Sequence, residues 1–276
     1  MQKHKISLVD TKIFDGRAFA ANKEVELQRQ VAKLKKRGIT PKLVSILVGN
    51  DPASHLYVNL KKKAAERVGA EVEIKQFEAD DDISEILNFI KMKNNDISVH
   101  GIMIQLPLPE TFSEKERDLI IETIDPKKDA DGLKKESDFL TPTVKSVLFV
   151  LKEASENIVR LSVKVLVIGY SGFEGGKIYK VLKDMDYKIN GVDSKTKNLK
   201  AKTQEADILI CATGSPGIIK GNMIKEGAIV IDIGAPKGDV VKEEAVGHAS
   251  FISPVPGGVG PVTIVSLLEN LIWASS

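Results

Sequence analysis

Short apolar runs alternate with charged stretches of helical period along nearly the whole chain, and this alternation most narrows what it can fold into. Residues 18–37 carry apolar positions at helical spacing (Val25, Leu27, Val31, Leu34). KLVSILVGN, residues 42–50, reads as a buried strand, a short apolar run closed by Gly49-Asn50. A helix over 54–68 follows, opened by Asp51-Pro52, then a strand over 71–77, a helix over 83–92, a strand over 100–109 (HGIMIQLPLP) and a helix over 113–122. The polar turn DPKKDADG comes next, Thr141-Pro142 punctuates the chain, and a helix spans 143–156. The alternation restarts near Leu161 with the strands VKVLVIG, YKINGVDS, ADILICATG and AIVIDIG, and ends in the apolar helix IVSLLENLIWA. Strands separated by helices imply parallel sheets with helices on both faces. The expected fold class is therefore α/β with two α/β domains joined by long helices. Residues 1–141 form the first domain, with 262–276 packing back on it. Residues 142–261 form a Rossmann-type dinucleotide-binding domain.

Composition excludes several classes of function. Of 276 residues, 40 are basic and 38 acidic, so the net charge of +2 gives no global field for nucleic acid or membrane. The single cysteine, Cys211, rules out an internal disulfide or a cysteine metal cluster, which fits a reducing compartment. His4, His55, His100 and His248 have no metal-ligand spacing, so no metal site is expected. The N-terminus lacks the apolar core of a signal peptide and no apolar run is long enough to span a bilayer. A cytoplasmic protein is expected.

Two motifs carry chemistry. VKVLVIGYSGFEGG places Gly169, Gly172, Gly175 and Gly176 between a strand and a helix, where glycines let backbone approach a pyrophosphate and the helix N-terminus holds the anion. The spacing G-x-S-x-x-x-G departs from G-x-G-x-x-G and also suits a tight turn with no ligand. Asp193 ends the next strand, where a carboxylate can accept from ribose hydroxyls or cap the following turn. The second motif is DPASHLYVNLKKKAAERVG. In a helix, Ser54, Tyr57 and Lys61 share one face, so a ring and an amine can meet a flat heterocycle and its protons. A snorkelling lysine on an amphipathic helix meets the same spacing. Gln105 in QLPLP closes a strand at the edge where open α/β sheets bind ligands. Asp129 and Asp131 share a loop with Gly132, and SPVPGGVGPVT, residues 253–263, reads as a glycine-rich loop before the last helix.

In order and spacing, VGNDPASHLYVNLKKKAAERVG, HGIMIQLPLP, KKDADGL, SKTKNL, ADILICATGSP, GAIVIDIG and PVPGGVGPVT resemble the bifunctional methylenetetrahydrofolate dehydrogenase/methenyltetrahydrofolate cyclohydrolase family, from about Lys12 onward. The resemblance implies that a hydride passes from 5,10-methylenetetrahydrofolate to a nicotinamide and that water then opens the methenyl product to 10-formyltetrahydrofolate. It makes the first domain the catalytic, folate-binding one. It implies that Lys61 is the catalytic lysine, Tyr57 its aromatic partner, Gln105 the residue that tunes it and Asp131 the carboxylate that anchors the pterin. It further implies that Ser54, Ile104, Leu106 and the segment Pro256, Gly257, Gly258, Val259, Gly260 and Pro261 line the folate site. Gly169, Tyr170, Ser171, Gly175, Asp193, Ser194, Thr213, Gly214, Gly234 and Ala235 are the expected cofactor residues. The implied assembly is a homodimer.

The chain departs from the family pattern mainly in the cofactor half. Tyr170 stands where arginine is usual, Asp193 where histidine is usual, and Glu174-Gly175-Gly176-Lys177 where Val-Gly-x-Pro is usual. Losing a cation and gaining an anion both disfavour a 2′-phosphate, so NAD is expected to serve better than the family's usual NADP, although Lys195 or Lys197 can restore positive charge. Phe139-Leu140 and Val262 are further departures. The competing readings are a cyclohydrolase with a degenerate cofactor site, a two-domain dehydrogenase of the shikimate type, and a folate-binding regulator, which would not need Lys61.

Overall fold

The computed structural model describes residues 9–154 and 162–276. The end of the helix expected over 143–156, the restart at Leu161 and His4 lie outside the described residues. In chain order the elements are β1 (Lys12–Ile13), α1 (Gly16–Lys36), β2 (Lys42–Val48), α2 (Pro52–Val68), β3 (Glu71–Phe77), α3 (Ile83–Asn95), β4 (Gly101–Ile104) and α4 (Glu114–Glu122). Then come α5 (Pro142–Ala154), β5 (Lys164–Ile168), α6 (Phe173–Asp184), β6 (Lys188–Val192), α7 (Leu199–Gln204), β7 (Ile208–Cys211), β8 (Ile229–Asp232), α8 (Lys242–Ala245), β9 (Phe251–Ser253) and α9 (Val259–Ala274). Contacts divide the chain into two compact units. One is Ala20–Pro142 with Ile264–Ser276; the other joins Thr143–Thr263 to the described residues up to Phe19. No described helix is long and apolar enough to cross a membrane.

The first of these units holds a parallel three-stranded sheet in the order β3-β2-β4. Val44, Ile46, Ile102 and Ile104 of the sheet pack with Ile86 and Ile90 of α3 and Ile120 of α4 in a buried apolar core. α2 starts where its sequence allows a cap: the Asp51 carboxylate accepts from the Ser54 N–H at 2.7 Å, and Pro52 needs no donor at the first helical position. It ends at Gly69, whose φ of +85° closes the helix in the left-handed region. The strand expected over 100–109 is shorter, because Pro107 and Pro109 cannot extend a ladder; only Gly101–Ile104 pair, and Gln105 adds one bond from its N–H to the Ile46 carbonyl.

The second unit is a six-stranded parallel sheet in the order β1-β9-β8-β7-β5-β6. β5 lies between β6 and β7, so successive connections leave it in opposite directions and open a crevice at its carboxyl end. Periodicity did not reveal β1, β9, α7 or α8, each too short to show a repeat. The loop expected over 253–263 needs correction. α9 begins at Val259, so Val259, Gly260 and Pro261 form its first turn, where proline's missing N–H costs nothing.

Candidate active site

In the first unit α2 delivers Ser54, Tyr57 and Lys61, and the end of β4 delivers Gln105. The Lys61 Nζ donates to Gln105 Oε1 at 3.0 Å. Gln105 is nearly buried and donates its own Nε2 to the Leu106 carbonyl at 2.8 Å. That second bond decides which end of the amide faces the lysine. The Gln105 partner is neutral, so it orients the amine without holding it charged. Burial lowers the Lys61 pKa below that of an ordinary lysine, while the carboxylate of Asp131 raises it part of the way back. Lys61, Gln105 and Asp131, far apart in sequence, therefore act on one another electrostatically or by hydrogen bond.

The turn that carries Asp131 is held from two sides. Asp129 is fully buried, and its carboxylate accepts from the Leu133 and Lys134 N–H groups. Asn270 of α9, also fully buried, donates Nδ2 to the carbonyls of Ala130 (2.8 Å) and Leu140 (2.9 Å). Gly101 allows this close fit, since a Cβ there would stand 2.9 Å from Leu271 and 3.1 Å from Ala130. Sequence reasoning missed Asn270, whose signal was a polar residue inside an otherwise apolar helix.

Tyr57 is 40% exposed and Leu106 37%, so both offer surface to a ligand. Ser54 is buried, with its Oγ lacking a hydrogen-bond partner. Ile104, expected to line the folate site, is instead wholly buried in the core, where the apolar side chain packs in the sheet, and offers no surface to a ligand. Residues 256–261, expected to line the folate site, belong to the other unit. There Gly257 has φ +96°, and a Cβ on Gly258 would stand 2.3 Å from Ser253 Oγ.

The crevice of the second unit is a cavity of about 320 Å³. Of the expected cofactor residues, Gly169, Ser171, Asp193, Ser194 and Thr213 line this cavity, together with Gly172, Thr196, Leu199, Ser215 and Ile218. Gly169 has φ +88°, and a Cβ there would lie 2.3 Å from the Ala212 carbonyl. Gly175 packs α6 onto the turn: a Cβ there would stand 2.2 Å from the Gly169 carbonyl oxygen. The tight turn and the close packing of α6 on it are what a pyrophosphate requires. Asp193 lines the cavity while one carboxylate oxygen accepts from the Lys195 N–H and the Thr196 hydroxyl. Tyr170 is placed differently from a cavity-lining residue. Its ring covers Gly191 and stands 5.6 Å from that of Tyr179. Gly214, Gly234 and Ala235 also fall outside the cavity lining.

Comparison with known proteins gives this arrangement a family. Residues 14–131 match the family described as tetrahydrofolate dehydrogenase/cyclohydrolase, catalytic domain, and residues 141–276 match its NAD(P)-binding domain. A relative from Halalkalibacterium halodurans, bifunctional protein FolD, is 43% identical over 95% of this chain and 98% of its own length. The crystal structure of the bifunctional enzyme FolD from Campylobacter jejuni superposes with a TM-score of 0.89 at 36% identity, covering 96% of this chain and 98% of that one. That of the Trypanosoma brucei enzyme, complexed with NADP cofactor and inhibitor, superposes at 0.88 with 30% identity, covering 96% and 97%. With both of its domains matched and relatives aligned along nearly its full length, the chain belongs to the tetrahydrofolate dehydrogenase/cyclohydrolase family.

Proposed function

We propose that this chain oxidises 5,10-methylenetetrahydrofolate to 5,10-methenyltetrahydrofolate with a nicotinamide dinucleotide and hydrolyses that product to 10-formyltetrahydrofolate. The observation that carries the reading is the amine of Lys61, lowered in pKa by burial and oriented by the neutral amide of Gln105. A nicotinamide dinucleotide, when bound, would supply the hydride acceptor, and Gly169, Ser171, Gly172 and the start of α6 would hold its phosphates.

In the hydrolytic step the methenyl carbon is already cationic and needs little further activation. Lys61 takes a proton from the attacking water. The hydroxyl so formed gives its remaining proton to solvent as the formyl C=O bond forms, the carbon–N5 bond breaks with its electron pair going to N5, and Lys61 returns its proton there. Tyr57 stacks against the folate, and Asp131 accepts hydrogen bonds from the pterin while its charge moderates Lys61. A cyclohydrolase with a decayed cofactor site is not favoured, because the Gly169 turn and its close contact with Gly175 retain the form a dinucleotide needs.

For nucleotide choice we read NAD as the better substrate. Asp193 sets a carboxylate in the cavity, and the residue after Gly169 is a tyrosine folded onto Gly191 and Tyr179 rather than a cation. The test follows methenyltetrahydrofolate by absorbance with NAD, with NADP and with neither. Formation from the methylene substrate reports the oxidation, and loss above the spontaneous rate reports the hydrolysis. Absence of both from the purified full chain would overturn the proposal.

A further inference from the structure

Asp239 stands behind the nucleotide cavity, is 0% exposed, and is used by none of the chemistry above. One carboxylate oxygen, Oδ2, accepts from the Thr213 N–H at 2.6 Å; the other, Oδ1, has no hydrogen-bond partner. Its backbone carbonyl accepts from the Ile219 N–H at 3.0 Å, and the neighbouring Gly238 carbonyl accepts from Gly217 at 3.0 Å. The segment 213–219, which supplies Thr213, Ser215 and Ile218 to the cavity, is thus tied near both ends to one short stretch of chain.

That stretch is itself fixed. The buried carboxylate of Asp232 accepts from the N–H groups of Gly234 (2.9 Å), Asp239 (3.1 Å) and Val240 (2.9 Å). Two glycines make room for the nest. A Cβ on Gly238 would lie 2.5 Å from Asp232 Oδ2, and one on Gly234 would lie 2.8 Å from the Asp239 nitrogen. Burial and the Asp239 charge both raise the Asp232 pKa, so keeping the two acids together costs the fold stability. A fully buried carboxylate with one bare oxygen is a poor device for stability alone, but it fixes the Thr213 amide in place.

We propose that Asp239 is the positioning residue of the nucleotide cavity, holding segment 213–219 in its ligand-binding form and thereby setting dinucleotide affinity. The proposal rests on the dehydrogenase reading and extends it to a residue that does not line the cavity. An ordered loop spares the ligand the entropic cost of ordering it.

The test titrates NADH and NADPH against the full-length wild type, Asp239→Ala and Asp239→Asn, and measures hydrolysis of methenyltetrahydrofolate by the same preparations without nucleotide. Asp239→Ala should weaken binding of the preferred nucleotide about ten-fold or more. Asp239→Asn keeps an acceptor for the Thr213 N–H and should stay within about three-fold of the wild type. Hydrolysis should change less than about two-fold in both, because Lys61, Gln105 and Asp131 belong to the other unit. Unchanged binding in Asp239→Ala, equal loss in both variants, or a parallel loss of hydrolysis would each overturn the proposal. A wild type that binds neither nucleotide overturns the dehydrogenase reading, and this proposal with it.

Discussion

The amine of Lys61 and the amide oxygen of Gln105 stand 3.0 Å apart, and Gln105 is locked in that orientation by its second bond to the Leu106 carbonyl. A glutamine cannot ionise, so burial governs the lysine's proton affinity and lowers it. A lysine so placed accepts a proton at a lower pH than a free one. Lys61→Met should reduce hydrolysis of methenyltetrahydrofolate about a hundred- to ten-thousand-fold with the circular dichroism spectrum unchanged. Gln105→Glu adds a carboxylate beside the amine, so the limb of the hydrolysis pH profile that follows Lys61 should move to higher pH. An unmoved limb would refute the tuning role of Gln105.

The same burial has a signature in stability. The folded Lys61 pKa lies below the unfolded value of 10.5, so between the two the unfolded chain holds the extra proton. Stability contributed by this group is therefore lowest below the folded value and rises with pH through the window up to 10.5. Subtracting the urea-unfolding free energies of Lys61→Met from those of the wild type, measured across that window, should give a difference that grows in the wild type's favour as pH rises. A flat difference would mean that the amine is not desolvated.

Asp131 acts on Lys61 in the opposite direction, since its charge favours the ammonium form. Asp131→Asn should move the Lys61 limb to lower pH, the reverse of Gln105→Glu. In the proposed pterin-anchoring role of Asp131, loss of its charge should also raise the folate KM about ten-fold or more. A variant with altered KM and an unmoved limb would separate the binding role from the electrostatic one.

The elements that carry this site were legible because they are long and regular. α2 announced itself through Asp51-Pro52 and the shared face of Ser54, Tyr57 and Lys61. Both parallel sheets followed from strands alternating with helices, and the Gly169 turn from its glycines. What stayed hidden depends on distant pairing. β1 has two residues and β9 three; β1 pairs only with β9, across the chain, and β9 pairs with β1 and β8. The start of α9 was obscured because Gly260 and Pro261 read as loop residues, although both are tolerated in a first helical turn. The ring of Tyr170 turned onto Gly191 through a contact across β6, and Asp239 lies far in sequence from the loop it holds.

Asn270 tests how far the site depends on its support. Its Nδ2 is the donor shared by the Ala130 and Leu140 carbonyls on either side of the Asp131 turn. Asn270→Ala removes that donor and leaves a gap in a fully buried position. The expected cost is about 2 to 4 kcal/mol of unfolding free energy, measured by urea denaturation, with a raised folate KM in the protein that remains folded. A loss below about 0.5 kcal/mol would show that the turn holds its shape without α9.

The proposed preference for NAD is argued from Asp193, which lines the cavity while its Oδ1 accepts from the Lys195 N–H and the Thr196 hydroxyl. Those turn contacts make alanine an ambiguous substitution, because it would loosen the loop as well as remove the charge. Asp193→Asn keeps a side-chain oxygen for the turn and removes the anion. If the carboxylate disfavours a 2′-phosphate, the ratio of kcat/KM for NADP to that for NAD should rise about three- to ten-fold in Asp193→Asn, and most at low ionic strength, where the repulsion is least screened. Removing the charge also deprives NAD of a ribose acceptor of full strength, so part of the change should appear as a higher KM for NAD. An unchanged ratio at every salt concentration would place the discrimination elsewhere in the cavity and leave Asp193 as a turn residue.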